Sequence, residues 1–218
     1  MRRSTCYDSG MIKHVWFDMA GTLYHETPEF EAEHNRVRYT TYAEVTGITD
    51  MAQAEREYEA LQKQYGSNSA VFTSLGKPSD FWQIAFDNVD LSTLLKPDPE
   101  ITATLEALAG KLPISLFTNL KRTKIEPVLR LLDIDPALFT HSISGDDLVH
   151  RKPHPEGYCK VVELSGLPAN QLLYVGDKVD KDVLPAKAEG IQTCLLWQNS
   201  PEATYSALRF KDLLEIIG

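Results

Sequence analysis

From residue 95 to the C-terminus, short apolar runs alternate with segments of helical periodicity. Apolar runs over 114–117, 139–143, 172–175 and 192–196 each predict a short buried strand. Helix signals are present over 98–110, 123–132, 155–166, 181–189 and 207–217. With an earlier apolar run, His14–Phe17, strands separated by helices indicate right-handed crossovers and a parallel sheet. The pattern predicts an α/β fold, a Rossmann-like doubly wound parallel sheet.

Residues 27–90 interrupt this alternation. Thr27-Pro28-Glu29 is typical of a helix start, and further helices are predicted over 52–65 and 81–86, with no clear strand between them. An all-helical block inserted after the first strand predicts an α-helical cap domain over 25–94. The core domain is then 11–24 with 95–218. Residues 1–10 are predicted to be a disordered extension, unless translation starts at Met11.

Composition narrows the classes of protein. The chain has 218 residues, 43% of them hydrophobic and 24% charged, which is ordinary for a globular protein. A formal net charge of −9 argues against a nucleic-acid surface, and an anionic substrate would need a local positive site. No apolar run is long enough to span a bilayer, and no signal peptide is recognisable, so no membrane partner and a cytoplasmic location are expected. The three cysteines form no disulfide or zinc pattern, and oligomeric state is not predicted.

Polar side chains of complementary chemistry follow the predicted strands. Asp18 follows the first strand, Thr118-Asn119 the second and Lys152 the third, and Gly176-Asp177 follows the fourth with Asp180 and Asp182 close behind. Ligands of parallel sheets bind beyond the carboxyl ends of the strands. Carboxylates on separate loops can hold Mg²⁺, and a lysine and a hydroxyl can hold phosphate oxygens. A carboxylate beside metal and phosphate can attack phosphorus.

This arrangement resembles the haloacid dehalogenase superfamily over nearly all of residues 11–218. The family's four motifs look like Phe17-Asp18-Met19-Ala20-Gly21-Thr22, Leu116-Phe117-Thr118-Asn119, Arg151-Lys152-Pro153-His154-Pro155 and Gly176-Asp177-Lys178-Val179-Asp180-Lys181-Asp182. The helical insert resembles the family's C1 cap. The resemblance implies a hydrolase of small phosphorylated metabolites with Mg²⁺ as cofactor.

Residue roles follow from the same resemblance. Asp18 would be the nucleophile and a metal ligand, with Asp177, Asp182 and the backbone carbonyl of Ala20 completing the protein's contribution to the metal site. Thr118 and Lys152 would hold the transferring phosphoryl group. Asn119, Gly21 and Thr22 would contact the substrate.

Ala20 departs from the family's phosphatase pattern, which has a second aspartate at this position. That aspartate protonates the leaving alcohol and later activates water, and losing a general acid/base costs about 10²–10⁴ in rate. Three outcomes are open: His25 or Glu26 substitutes, the substrate has a good leaving group, or the protein only binds phosphate.

Ala20 is also similar to the first motif of the phosphonoacetaldehyde hydrolase branch, Asp-x-Ala-Gly-Thr. In that branch a cap lysine forms a Schiff base and a carbon–phosphorus bond is cleaved. The predicted cap offers Lys63 and Lys77 for such a role.

Overall fold

The computed structural model describes residues 10–86 and 88–218. The predicted extension over residues 1–10 therefore lies outside the described residues, except for Gly10, whose carbonyl accepts a 2.8 Å hydrogen bond from the Gln192 side chain. Among the described residues, none of the helices combines the length and the apolar character that crossing a membrane requires.

The described chain forms a parallel six-stranded sheet with helices around it. The strands are β1 His14–Phe17, β2 Ile114–Phe117, β3 Phe139–Ile143, β4 Leu172–Gly176, β5 Gln192–Leu196 and β6 Tyr205–Ala207. Their order across the sheet is β3-β2-β1-β4-β5-β6, and every neighbouring pair is parallel. Strands β1, β2, β4 and β5 are buried along their whole length, as expected for a sheet covered on both faces. The predicted fold class is confirmed.

The helices fall into two groups along the chain. Between β1 and β2 lie α1 Pro28–Thr46, α2 Met51–Tyr65, α3 Asn68–Ser74 and α4 Phe81–Phe86, followed by α5 Pro99–Ala109. After β2 come α6 Arg122–Leu131, α7 Pro155–Ser165, α8 Leu184–Ala188 and α9 Leu213–Ile217. Short 3-10 turns occupy Leu91–Thr93, Pro136–Leu138, Gly145–Asp147, Ala169–Gln171 and Phe210–Asp212, and Val179–Val183 is a π-helical turn.

The chain divides into two compact units, each with its own core. One consists of the chain up to His25 together with Leu95–Gly218, and the other is Glu26–Leu94. The core of the first unit includes Trp16, Phe117, Tyr158 and Tyr174. The core of the helical unit includes Val37, Tyr42, Ala54, Tyr58, Val71, Phe72 and Trp82.

Local capping explains where most helices begin. The Thr27 hydroxyl accepts the amide of Phe30, and the Asp98 carboxylate accepts the amide of Glu100, each just before a proline in the first turn. The prediction for α6 is wrong in its cap, because Thr123 and Glu126 form no capping box and the helix begins at Arg122. Its first amide is capped from a different loop, since Arg122 N donates to the Asp146 carboxylate.

Two further predicted helices differ from the structure, and one helix of the structure was not predicted. The helix predicted over 181–189 is a π-helical turn followed by the short α8. The helix predicted over 207–217 instead begins with the end of β6, which pairs with β5, and only Leu213–Ile217 is α-helical. Helix α3 was not predicted. Ser67 is its N-cap, and Val71 and Phe72 are its buried residues.

Candidate active site

The carboxyl ends of three adjacent strands bring the first, second and fourth motifs to one edge of the sheet. Phe17 of β1 lies opposite Leu116 of β2 and Val175 of β4. Asp18, Thr118 and Asp177 therefore leave neighbouring strands at the same edge. The β1–β4 ladder continues one residue further, because Asp18 N donates to Val175 O at 2.9 Å.

Lys152 joins the motifs through its ammonium group. Its Nζ donates to Asp18 Oδ1 at 2.6 Å, to Asp182 Oδ1 at 2.9 Å and to the Tyr174 hydroxyl at 3.0 Å. The Lys152 side chain is 4% exposed, and those of Asp18 and Asp182 are 9% and 2% exposed. All three ammonium protons are accounted for in a buried setting, which fixes the position of the charge.

Asn119 holds the loop that carries Lys152. Its side-chain oxygen accepts the Lys152 amide at 2.9 Å, and its side-chain nitrogen donates to the Lys152 carbonyl at 3.2 Å. Sequence reasoning assigned Asn119 to the substrate, whereas here both polar groups of its amide bind backbone. The neighbouring Thr118 is buried, and its hydroxyl accepts the Leu120 amide at 3.2 Å.

Asp18, Asp177 and Asp182 form a buried carboxylate cluster. One oxygen from each lies within 4.8 Å of the others. Asp177 Oδ2 pairs with Lys178 Nζ at 2.7 Å, while Asp177 Oδ1 is buried without a hydrogen-bond partner. A buried carboxylate oxygen without a donor is costly, so a hard cation with oxygen ligands fits this cluster.

The π-helical turn places Asp182 in this cluster. Val183 N reaches back to Lys178 O at 3.3 Å, which widens the turn by one residue, and Asp182 Oδ2 accepts the Lys178 amide at 3.0 Å. Asp182 is buried, whereas Asp180, its rival in the sequence, is exposed. Both Asp182 oxygens already accept hydrogen bonds, so its direct contacts are to Lys152 and its own loop.

Gly21 is required by the approach of Asp177. A Cβ at Gly21 would lie 2.5 Å from Asp177 Oδ2, and its φ of +76° is one that L side chains rarely adopt. Trp197 Nε1 holds the loop by donating to Gly21 O at 2.9 Å. Next in sequence, Thr22 is fully buried and its hydroxyl has no hydrogen-bond partner, which leaves a polar atom available at this loop.

Burial and the neighbouring charges shift the pKa values of both members of the ion pair, Asp18 and Lys152. Burial raises the pKa of Asp18 to about 7, Lys152 opposes this shift, and repulsion from Asp182 and Asp177 adds to it. Burial alone would lower the pKa of Lys152, but attraction to Asp18 and Asp182 outweighs it and raises that pKa. Lys152 is therefore a permanent cation beside carboxylates that repel one another.

The residues proposed to compensate for Ala20 have different surroundings. Ala20 is partly buried and forms an isolated bridge with Tyr24, which closes the loop after Asp18. His25 is exposed, and its ring lies against Trp197 with centroids 4.3 Å apart. Glu26 is exposed and belongs to the helical unit.

Sequence reasoning missed Tyr174 and two residues after β5. The Tyr174 hydroxyl accepts from Lys152 and donates to Phe117 O at 3.0 Å. Gln198 Nε2 donates to Asp177 O at 3.0 Å, and Trp197 braces Gly21. The one available signal was Tyr174 itself, because a phenol in a fully apolar strand needs a buried partner.

The helical unit has a separate polar cleft of about 410 Å³. Arg38, one of its lining residues, donates to Asn35 and lies 2.8 Å from His34 Nδ1. The acidic residues of its lining are Glu26, Glu31, Glu55 and Glu59. Four carboxylates around one guanidinium disfavour a phosphate here.

Comparisons with known proteins agree with this geometry. Residues 12–190 match the family of haloacid dehalogenase-like hydrolases. The chain is 30% identical to the glyceraldehyde 3-phosphate phosphatase of Methanocaldococcus jannaschii, over 95% of this chain and 96% of that one. It is 41% identical to the phosphoglycolate phosphatase of Escherichia coli K12 over 131 residues, which are 55% of this chain and 50% of that one. The chain thus spans about half the length of this second relative.

Solved structures show the same fold. A HAD phosphatase from Thermococcus onnurineus superposes with a TM-score of 0.74 at 21% identity, covering 95% of this chain and 98% of that one. A phosphoglycolate phosphatase-like protein from Lactobacillus plantarum gives a TM-score of 0.70 at 22% identity, covering 94% and 99%. The family match covers most of the chain, from residue 12 to residue 190. The chain belongs to the haloacid dehalogenase-like hydrolases.

Proposed function

We propose that the chain is a Mg²⁺-dependent phosphatase that hydrolyses small phosphorylated metabolites through an aspartyl-phosphate on Asp18. The carrying observation is the buried contact of Lys152 with Asp18 and Asp182 beside an unpartnered oxygen of Asp177. Two ammoniums, the buried Lys152 and the half-exposed Lys178, leave three carboxylates with a net negative charge, so the cluster favours an added divalent cation and, with it, a phosphate.

Asp18, Asp177 and the backbone carbonyl of Ala20 would hold Mg²⁺, and Asp182 would support it through its loop. When bound, the cation offsets negative charge on the carboxylates and on phosphoryl oxygens. The unpartnered Asp177 Oδ1 supports this assignment. Gly21 supports it as well, since any side chain there would displace the Asp177 carboxylate.

Asp18 would act as the nucleophile. An Asp18 oxygen forms a bond to phosphorus while the bond from phosphorus to the leaving oxygen breaks. Water then attacks the acyl phosphate, releasing inorganic phosphate and restoring the carboxylate. Lys152 would offset charge on the transferring group, with its position set by Asn119 and Tyr174.

Thr118, Gly21 and Thr22 would contact the phosphate. Thr118 leaves β2 beside Asp18, and the Thr22 hydroxyl is buried without a partner. Asn119, by contrast, would act on the substrate through Lys152, because its amide is committed to the Lys152 backbone.

Ala20 would limit the reaction to substrates that need little proton donation, or slow it on alkyl phosphates. The test compares wild type with Ala20→Asp on 4-nitrophenyl phosphate and on two alkyl phosphates, 2-phosphoglycolate and glyceraldehyde 3-phosphate. We expect Ala20→Asp to raise kcat on the alkyl esters by about 10²-fold or more and to change the aryl ester little. Equal gains on both classes would contradict the role given to Ala20.

Two variants complete this experiment. Ala20→Asn has nearly the same shape as Ala20→Asp but no proton to donate, and it should not raise kcat. Asp18→Asn should abolish turnover of every ester, and acid-quenched wild type should carry one phosphate on Asp18. Phosphate binding without turnover on any ester would instead indicate a phosphate-binding protein.

Among the described residues of the helical unit, none supports phosphonate cleavage. Lys63 is exposed on α2, and the Lys77 ammonium lies over the ring of Phe81, 5.3 Å from its centroid. A Schiff-base lysine is normally desolvated, whereas Lys63 is exposed and Lys77 is only partly buried. Borohydride trapping of phosphonoacetaldehyde on either lysine would instead support phosphonate cleavage.

A further inference from the structure

A second cluster of metal-ligating side chains lies on the surface of the loop before α7. His150, His154 and Glu156 each offer one ligand atom, and these atoms lie within 4.8 Å of one another. The two histidines are exposed and the glutamate is partly exposed. None of the three belongs to the carboxylate cluster of Asp18, Asp177 and Asp182.

The loop already holds these side chains together. The Glu156 carboxylate accepts the amides of Val149 at 2.8 Å and of His150 at 2.9 Å. The imidazoles of His150 and His154 are stacked, with centroids 4.3 Å apart and planes 27° apart. His154 Nδ1 accepts the Glu156 amide as the N-cap of α7, which directs its Nε2 away from the helix. The backbone therefore already holds Glu156 and His154, and one of the two stacked rings would rotate to direct both imidazole nitrogens at the same ion.

We propose that His150, His154 and Glu156 bind a first-row divalent transition-metal ion, with Zn²⁺ as its representative. Two imidazoles and a carboxylate suit zinc, cobalt and nickel, whereas Mg²⁺ prefers all-oxygen ligands. In a tetrahedral zinc shell, neighbouring ligand atoms are about 3.4 Å apart. His150 Nδ1 and Glu156 Oε2 are already 3.2 Å apart, in a hydrogen bond whose proton the metal ion would displace.

Electrostatics both oppose and assist a cation at this position. The positive end of the α7 dipole opposes it, and the Glu156 carboxylate in the first helical turn offsets that field. The net charge of −9 draws cations to the protein in general. Selectivity for zinc over magnesium then comes from the two imidazoles and not from the charge.

The experiment is calorimetric titration of the full chain with Zn²⁺ in millimolar Mg²⁺, which competes at the carboxylate cluster. We expect one Zn²⁺ per chain in wild type, with affinity reduced at least about tenfold in His150→Ala and in His154→Ala. His25→Ala removes an exposed histidine elsewhere and should bind as wild type does. Unchanged affinity in both cluster variants would overturn the proposal, because Zn²⁺ would then be bound by other residues.

A spectroscopic measurement on the wild-type chain tests the site without any substitution. With Co²⁺ as the probe and Mg²⁺ present, imidazole ligation in a low-coordinate shell should give intense visible absorption. Only the weak absorption of an octahedral oxygen shell would contradict the site. Neither readout depends on catalysis, so a failure of the phosphatase proposal leaves this one standing, and the reverse also holds.

Discussion

Lys152 is the buried counter-charge of the carboxylate cluster. Its ammonium contacts Asp18 and Asp182 directly and is shielded from water, with 4% of the side chain exposed. A buried ion pair adds little net stability when intact, but removing one partner leaves uncompensated charge in a medium that solvates it poorly. The side chain is therefore expected to serve stability and phosphate binding together.

Lys152→Met should destabilise the protein by about 3–5 kcal/mol at neutral pH, because Asp18 and Asp182 lose their buried counter-charge. Mg²⁺ should recover part of this loss, since the cation would supply positive charge at the same cluster. Urea unfolding with and without Mg²⁺ measures both effects.

Lys178→Met is the matched control for that variant. Lys178 also pairs with a cluster carboxylate, Asp177, but its side chain is 50% exposed. A solvent-screened pair contributes about 0–1 kcal/mol, so the control should remain close to wild type. A loss as large as that of Lys152→Met would show that burial is not what gives Lys152 its importance.

Gly21 tests the carboxylate cluster through the backbone. Gly21→Ala should weaken Mg²⁺ binding and lower stability, because the new Cβ would meet Asp177 Oδ2 at 2.5 Å. Gly190→Ala has the same kind of backbone, with φ of +79° against +76°, but its Cβ would make only a 3.6 Å contact with Ala169. Both variants carry the backbone cost of about 1–2 kcal/mol, and only Gly21→Ala should alter Mg²⁺ affinity. Calorimetric titration with Mg²⁺ distinguishes the two variants. A similar loss of Mg²⁺ affinity in both would refute the role of Asp177.

At the scale of elements, the sequence is sufficient wherever the determining interaction is local. Strand β1 follows from four consecutive buried residues, and α1 and α5 follow from an N-cap followed by proline. The start of α6 was mispredicted because its cap, Asp146, lies 24 residues away. Strand β6 was not predicted, and its last residue, Ala207, was placed at the start of a helix, because the strand forms by pairing with β5.

The same distinction applies to the candidate site. Topology alone brings Asp18, Thr118 and Asp177 to one edge, since parallel strands end together. Their partners depend on which side chains meet across the fold, and no local pattern encodes that. Asn119 binds Lys152 across 33 residues, and Tyr174 binds it across 22.

The helices of the second unit carry a pH-sensitive contact. Burial, with a contribution from Arg38, lowers the pKa of His34 to about 4. His34 faces Arg38 on its own helix, Asn68 of α3, and Trp82 and Phe86 of α4. Below about pH 6.5 the unfolded chain binds a proton that the folded chain does not, so stability falls until about pH 4 and then levels off.

Because the pKa of His34 is lowered, the free energy of unfolding should fall by up to about 3 kcal/mol as the pH drops from 6.5 to 4. His34→Gln should remove that part of the pH dependence, while His25→Gln, an exposed site, should not. Urea unfolding at each pH, followed by tryptophan fluorescence, measures the effect; Trp82 lies in the helical unit and Trp16 and Trp197 lie in the sheet unit. His14, whose pKa burial also lowers to about 4, contributes in the sheet unit instead. An unaltered slope in His34→Gln would refute the assignment.

At the scale of the whole molecule, a chain with net charge −9 attracts cations everywhere, so stabilisation by Mg²⁺ must be separated from screening. At a free Mg²⁺ concentration of 100 times Kd, site binding adds about 2.7 kcal/mol. For a chain of this size, that corresponds to a rise in melting temperature of about 5–10 °C. Calorimetry should show this rise with MgCl₂ and not with NaCl of equal ionic strength.

Asp177→Asn should abolish the rise with MgCl₂, because the substitution removes the carboxylate whose Oδ1 has no other partner. Asp180→Asn changes the net charge by the same amount at an exposed position and should keep the full rise. Equal responses in the two variants would mean that Mg²⁺ acts on the charge of the molecule as a whole, and the carboxylate cluster would then lose its role as the metal site.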